Sequence, residues 1–282
     1  MELVVLSGKG GTGKTTIAAA LSELAQDVIR IDCDVDAPNF GLYYKGEDVE
    51  KKSFYAGKKA FINPNLCSSC GNCENVCRFS AIENFKVNNF ACEGCGACTL
   101  VCSQNAISLK DEKAADTFIT QLDKGIISRA EMEIGSDGSG KLITFLRKNG
   151  KRYNEDDKLT IIDGSPGIGC PVISSITGSN AVLIVTEPTK SGLSDLIRVV
   201  DLCRHFSIFT MVCINKYDIN EDMSKEIEAF IEKQDIVLVG KIPYDDVVMT
   251  SINELKPIIY YEDSTANKAI KDIWNNIEML IY

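Results

Sequence analysis

A short apolar run, Leu3-Val4-Val5-Leu6-Ser7, leads into Gly8-Lys9-Gly10-Gly11-Thr12-Gly13-Lys14-Thr15-Thr16, and Ile17 to Ala25 then follows with helical spacing. A buried strand, a glycine-rich turn and a helix in that order point to an α/β protein with a doubly wound, mostly parallel sheet. The spacing G-x4-G-K-T lets backbone N–H groups curl around phosphates at a helix N-terminus, where the helix dipole also favours anions. Gly8, Gly10, Gly11, Thr12, Gly13, Lys14, Thr15 and Thr16 are therefore the candidate nucleotide-binding residues. Lys14 is expected to reach the β and γ phosphates and Thr15 to bind magnesium. A glycine-rich turn that binds nothing is the bland alternative, and the strand–loop–helix setting argues against it.

Further strands read as Val28–Ile31, ending in Asp32-Cys33-Asp34-Val35-Asp36, and Leu159–Ile162, ending in Asp163-Gly164-Ser165-Pro166-Gly167. Carboxylates at the C-terminal ends of parallel strands face the ligand crevice of a doubly wound sheet, although turn-forming aspartates after strands are common. Ala181–Pro188 and Phe209–Lys216 read as two more buried strands, and Ile236–Val239 as a last short one before Gly240-Lys241-Ile242-Pro243-Tyr244-Asp245. Asn215-Lys216-Tyr217-Asp218 spells N-K-x-D, a guanine-reading pattern in small GTPases.

Lys9 is the residue that an ordinary loop of this kind does not require. With it, the loop resembles the deviant Walker A motif of the MinD/ParA group of ATPases, which includes the nitrogenase iron protein and Mrp-type cluster carriers. The resemblance implies a homodimer in which Lys9 crosses to the partner's nucleotide and neutralises charge that develops in phosphoryl transfer. It further implies that Asp34 orients the attacking water, that Asp163 holds magnesium through water and that Asp32 supports the magnesium shell, with Asp36 a less certain neighbour. Asn215 would contact adenine and Pro243 would lie in the base-side loop, so ATP is favoured over GTP. For Lys9 the bland alternative is a solvated surface lysine.

Eight of the twelve cysteines fall between Cys67 and Cys102, in two runs, Cys67-x2-Cys70-x2-Cys73-x3-Cys77 and Cys92-x2-Cys95-x2-Cys98-x3-Cys102, offset by 25 residues. Gly71-Asn72 matches Gly96-Ala97, and Ser80-Ala81-Ile82 matches Asn105-Ala106-Ile107. A block clustered like this points to metal rather than a disulfide framework. The duplicated run resembles bacterial two-cluster ferredoxins, in which the fourth cysteine of each run ligates the other cluster. That resemblance implies one 4Fe-4S cluster on Cys67, Cys70, Cys73 and Cys102 and a second on Cys92, Cys95, Cys98 and Cys77. Zinc is the alternative for such spacings. The proline customary after each fourth cysteine is replaced by Arg78 and Ser103.

Asp34 and Asp163 are 129 residues apart, more than simple members of the group need between these motifs. The whole chain is accordingly identified as resembling MinD-type ATPases with an inserted ferredoxin domain. The ATPase is expected over 1–57 and 116–282 and the insert over 58–115, with linkers around Tyr55–Lys59 and Lys110–Ala115. Cys170 lies seven residues past Asp163, where the iron protein carries a cluster ligand, but no second cysteine is placed to join it, so a small packed or switch-adjacent residue is expected. Gly135–Lys141 also fits G-x4-G-K, yet Leu142 replaces the magnesium-binding hydroxyl; the loop is expected to cap a helix over 142–148.

The formal charge of −10 argues against nonspecific nucleic-acid binding. No apolar run approaches the roughly 18–20 residues that span a bilayer. A start without a basic segment, running straight into a strand, predicts a cytoplasmic protein. Ile270, Ile273, Trp274 and Ile277 form an apolar stripe, but Asp272, Asn275, Asn276 and Glu278 give its polar face no cations, so this helix is expected on the core rather than on a membrane. The sole histidine, His205, is expected to be structural, at the end of a helix. The combined expectation is a MgATPase coupled to two clusters, driving electron transfer to a partner metalloprotein. The alternatives are a factor that carries clusters or a metallocofactor to an apo-target, and a regulatory ATPase whose clusters sense redox state.

Overall fold

Runs such as Leu3-Val4-Val5-Leu6 carry no polar face, so both sides of the strand need cover, which a parallel sheet between two helix layers supplies. The computed structural model describes every residue except Asp137, Glu155 and Asp156. Its described residues divide into two compact units. One comprises Met1–Lys52, Thr117–Glu131 and Ser139–Tyr282; the other comprises Ser53–Asp116 and Met132–Gly138.

In the first unit, β1 (Glu2–Leu6) leads to α1 (Lys14–Leu24), then β2 (Ile29–Asp32) and the start of β3 (Glu47–Ile62). The second unit contributes α2 (Asn72–Val76), β4 (Ile82–Glu83), β5 (Lys86–Val87) and α3 (Ala97–Leu100). The chain returns along β6 (Ile107–Gln121) to β7 (Ile126–Met132), α4 (Ser139–Arg152), β8 (Thr160–Asp163), α5 (Cys170–Ile176), β9 (Ala181–Thr186) and α6 (Lys190–His205). It ends with β10 (Phe209–Asn215), α7 (Glu221–Lys233), β11 (Val237–Ile242), α8 (Val247–Asn253) and α9 (Thr265–Ile281).

The main sheet has the order β11-β10-β9-β1-β8-β2-β7-β6-β3. It is parallel from β11 through β7. The four residues between β6 and β7, closed by Leu122 N–H donating to the Gly125 carbonyl at 3.1 Å, are too few for a crossover, so that pair is an antiparallel hairpin. On one face Leu3, Val5, Ile161, Leu183 and Met211 pack with Ile17, Ala20 and Leu21 of α1 and with Ile270, Ile273, Trp274 and Ile277 of α9. The α9 stripe thus lies on the core, each residue contributing roughly 1.5–3 kcal/mol of burial. Among the described residues no helix is long and apolar enough to cross a membrane.

Several local expectations change. Tyr55–Lys59 and Lys110–Ala115, read as linkers, lie inside β3 and β6. Ser53 bonds Asp116 at 3.2 Å, Lys58 pairs with Asp111 at 3.5 Å, Lys110 stands 3.4 Å over the Phe61 ring, and Asn63 N–H donates to the Ala106 carbonyl at 2.8 Å. The charges that suggested a linker are cross-strand partners of an antiparallel ribbon. The helix expected over 142–148 runs from Ser139 to Arg152, so Gly140 and Lys141 belong to its first turn, not to a phosphate loop; Asp137 lies outside the described residues. His205 ends α6 with its ring edge-on to Phe206.

Candidate functional site

The loop after β1 is shaped by close approaches. Gly13 adopts φ +87° at the N-cap of α1, and a methyl there would stand 2.5 Å from the Asn215 amide nitrogen. Asn215, at the end of β10, donates through Nδ2 to the Thr12 carbonyl at 2.8 Å and accepts from Lys216 N–H at 3.0 Å. The Thr12 hydroxyl is buried without a hydrogen-bond partner, an orphaned donor on the wall of the loop.

Strand ends bring the remaining groups to Lys14. Its ammonium is hydrogen-bonded to Asp163 Oδ1, lies 3.4 Å from Asp34 Oδ2, and is buried. Burial alone would lower the Lys14 pKa, but Asp163 and then Asp34 outweigh it and raise it, so the lysine is firmly charged. The Thr15 hydroxyl donates to Asp163 Oδ2 at 2.7 Å. Asp32 and Asp163 are cross-strand partners in the β2–β8 register. Asp32 spends one oxygen on Asp34 N–H at 3.2 Å and the other on Phe40 N–H at 3.1 Å, so it organises the loop that carries Asp34. Burial, then the Asp163 charge, raises the Asp32 pKa; burial is also the largest cause raising that of Asp34. Asp36 is exposed, and its charge adds to those that raise the Asp34 pKa.

The Asp34 and Asp163 carboxylates therefore share one ammonium, with Asp32 behind them, an arrangement of oxygens suited to a divalent cation. Among the described residues no three His, Cys, Asp or Glu converge on a single ion position. Magnesium does not need that, since it is usually held by one or two protein oxygens with phosphates and waters. Thr15 and Asp163 are placed to provide them.

Lys9 rests on its own chain: Nζ lies 3.6 Å from Glu187 Oε2, 3.3 Å from Ser191 Oγ and 3.5 Å from Thr189 Oγ1. Asp218 accepts Tyr244 N–H at 2.7 Å, tying it to the loop that begins at half-buried Pro243. Glu187 was not visible as a site residue from sequence; only its place after a strand, beside Pro188, marks it.

In the second unit the 25-residue repeat is a repeat of backbone. Asn63 and Asn88 each accept the N–H two residues on through their side chains, Asn65 and Phe90 donating at 3.0 Å in both cases. Their carbonyls accept Cys67 N–H at 3.2 Å and Cys92 N–H at 3.0 Å. Gly71 and Gly96 cap α2 and α3 with φ +79°, and Ser80 and Asn105 take φ +49° and +50°. The Cys77 sulfur accepts Ala81 N–H at 3.4 Å and the Cys102 sulfur accepts Ala106 N–H at 3.2 Å. The two asparagines were missed in the sequence, although they sit four residues before each first cysteine.

The repeats exchange their ends. Asn88 N–H bonds the Ala81 carbonyl at 2.7 Å while Asn63 N–H bonds the Ala106 carbonyl at 2.8 Å. Each run's last cysteine is thereby carried to the other run's first. Cys67, Cys70, Cys73 and Cys102 line one cavity, and Cys92, Cys95, Cys98 and Cys77 line a second. Burial raises the pKa of the Cys73 and Cys98 thiols. Cys33, Cys203 and Cys213 are buried in the first unit, whereas Cys170 is exposed at the start of α5 rather than packed.

Residues 3–258 match the family model for the CobQ/CobB/MinD/ParA nucleotide binding domain. An uncharacterized protein of Methanocaldococcus jannaschii is 33% identical over 286 residues, spanning 100% of this chain and 98% of the relative. An iron-sulfur cluster carrier protein of Pyrococcus abyssi is 26% identical over 96% of this chain and 83% of its own length. Among solved structures, the cell division ATPase MinD of Pyrococcus furiosus superposes with a TM-score of 0.61 at 19% identity, covering 99% of this chain and 98% of that one. The chain belongs to the CobQ/CobB/MinD/ParA nucleotide-binding family and is one of its P-loop ATPases.

Proposed function

We propose that the protein is a homodimeric MgATPase whose nucleotide cycle drives electron transfer to a partner metalloprotein from two 4Fe-4S clusters. The clusters would sit in a ferredoxin-like insert, expected over 58–115, within an ATPase of 1–57 and 116–282. The observation that carries this reading is the sorting of eight cysteines into two cavities of four, with Cys77 and Cys102 exchanged between runs. A cubane takes one thiolate per iron, so its donors stand around a cage instead of meeting at one ion as in a four-cysteine zinc site. N–H groups of Ala81, Ala60 and Ala106 are aimed at the Cys77, Cys92 and Cys102 sulfurs, the kind of hydrogen bond that tunes a bound cluster.

In the ATPase the chain's residues divide the work. Water attacks the γ phosphorus in line as its bond to the β–γ bridging oxygen breaks, and Asp34 accepts a hydrogen bond from that water. Lys14, and Lys9 from the partner subunit, stabilise the charge on the transferred group. Thr15 and Asp163 would hold magnesium, which would neutralise phosphate charge, while Asp32 keeps the Asp34 loop in place. Asn215 and the Pro243 loop flank the base.

Relatives named iron-sulfur cluster carrier proteins favour a second reading, delivery of a cluster or metallocofactor to an apo-target. An anaerobic redox titration followed by electron paramagnetic resonance, with and without MgATP, separates the two. Potentials that shift with MgATP while iron is retained support electron transfer. Unchanged potentials with iron passing to an apo-protein support delivery, and absence of any 4Fe-4S signal overturns both in favour of zinc.

A further inference from the structure

We propose that Glu187 is a positioning residue that latches Lys9 to its own subunit and so sets the cost of forming the dimer. The inference rests on the reading that Lys9 acts on the partner's nucleotide.

Three neighbouring strands, β10-β9-β1, end in this cluster, and each supplies one charge: Lys216 after β10, Glu187 after β9, Lys9 after β1. Glu187 offers one oxygen to each lysine, Oε1 to Lys216 Nζ at 2.7 Å and Oε2 to Lys9 Nζ at 3.6 Å. Its side chain is 15% exposed, so its charge is less screened than that of a free surface carboxylate. The hydroxyls of Thr189 and Ser191, at the start of α6, complete the seat of the ammonium. A lysine held this way must break the ion pair and both hydroxyl contacts before it can enter another subunit. Lys216 pulls in the opposite sense, because it shares the carboxylate and repels Lys9. Within Asn215-Lys216-Tyr217-Asp218 three side chains have partners elsewhere in the chain: Asn215 donates to the Thr12 carbonyl, Lys216 pairs with Glu187, and one Asp218 oxygen accepts Tyr244 N–H.

A partly exposed ion pair biases such an equilibrium by about twofold to fivefold. Two latches open per dimer, so the protein concentration giving half-maximal ATPase should fall roughly fourfold to 25-fold in Glu187→Gln. Lys216→Met, which leaves Glu187 to Lys9 alone, should raise that concentration. The experiment measures MgATPase rate against protein concentration, and dimerisation by sedimentation with a non-hydrolysable ATP analogue, for both variants and for Glu187→Gln in a Lys9→Ala background. Thermal melts confirm folding. The latch is overturned if Glu187→Gln dimerises no better than wild type, if Lys216→Met moves the same way, or if Lys9→Ala does not erase the effect. The two failures are distinguishable: a Lys9→Ala protein with the wild-type rate rejects the action of Lys9 across the dimer. The latch is then judged by the rate at which an amine reagent labels Lys9 in nucleotide-free protein. A faster rate in Glu187→Gln supports it and an unchanged rate rejects it.

Discussion

Replacing Gly8 by alanine adds one methyl group where the loop after β1 runs against α6. The methyl would stand 3.0 Å from the Asp195 carbonyl carbon and 3.1 Å from its Cα, and closer still to its Cβ. No rotamer withdraws those atoms, so either α6 or the loop must shift. Overpacking of this kind costs about 1–3 kcal/mol, and a backbone obstacle places Gly8→Ala at roughly 3 kcal/mol. For a domain of this size that lowers Tm by roughly 6–12 °C. Moving α6 also moves Thr189 and Ser191, the seat of Lys9, so nucleotide-dependent dimerisation should weaken too. Gly10→Ala is the control, because among the described residues beyond its chain neighbours no heavy atom lies within 4 Å of its added methyl, and its stability should change by less than about 0.5 kcal/mol. Equilibrium urea unfolding followed by circular dichroism, with MgADP titrations by calorimetry, measures both. If Gly8→Ala stays within about 0.5 kcal/mol of wild type, or Gly10→Ala falls as far, the packing argument is wrong.

Asp163→Asn leaves buried Lys14 facing Asp34 at 3.4 Å; it should cost roughly 3 kcal/mol of stability and lower MgATPase by at least about a hundredfold, read by urea unfolding and phosphate release. Cys102→Ala and Cys77→Ala should each abolish one cluster signal and halve iron from about eight to about four per chain, the lost cluster being that of the opposite run; loss of both signals from either single change would reject the exchange. Asp32 titrates above its ordinary carboxylate value of 3.8 because burial, then Asp163, opposes its charge. The folded, ligand-free protein therefore binds this proton more tightly than the unfolded chain, so the contribution of Asp32 to stability is fullest below its ordinary value and is lost as pH rises through the raised one. Asp32→Asn should flatten the decline, measured as urea midpoints across pH, and an unchanged slope would remove Asp32 as its source.

The parts legible in the sequence were those with a period or a fixed spacing. The loop from Gly8 to Thr16 is local, and its requirements are met by neighbouring residues. The cysteine runs are a repeat, and the same 25-residue offset reappears in Asn63 and Asn88, in Gly71 and Gly96, and in Ser80 and Asn105. What escaped was structure held by partners distant in sequence. In β3 only Ala56 and Ala60 are buried, so the strand shows no apolar alternation. It is fixed by a backbone ladder and by charges such as Lys59 with Glu112 at 3.3 Å. A charged stretch with a glycine looks like a linker until its partner strand, some fifty residues on, is known.

N-K-x-D shows the same limit at the nucleotide site. The four letters fit a guanine reader or an adenine-side strand end, because spacing specifies where the side chains start and not what they hold. A guanine reader needs the aspartate carboxylate available to the base. Here Asp218 Oδ1 takes Tyr244 N–H at 2.7 Å, in the loop after β11, while Lys216 Nζ lies 2.7 Å from Glu187 Oε1. The aspartate is tied through one oxygen to the loop after β11, and the lysine is tied through Glu187 to Lys9. Both contacts join residues far apart in the chain, Glu187 to Lys216 and Asp218 to Tyr244, so the pattern's meaning follows from the order β10-β9-β1 of the strands that carry it and the loop after β11.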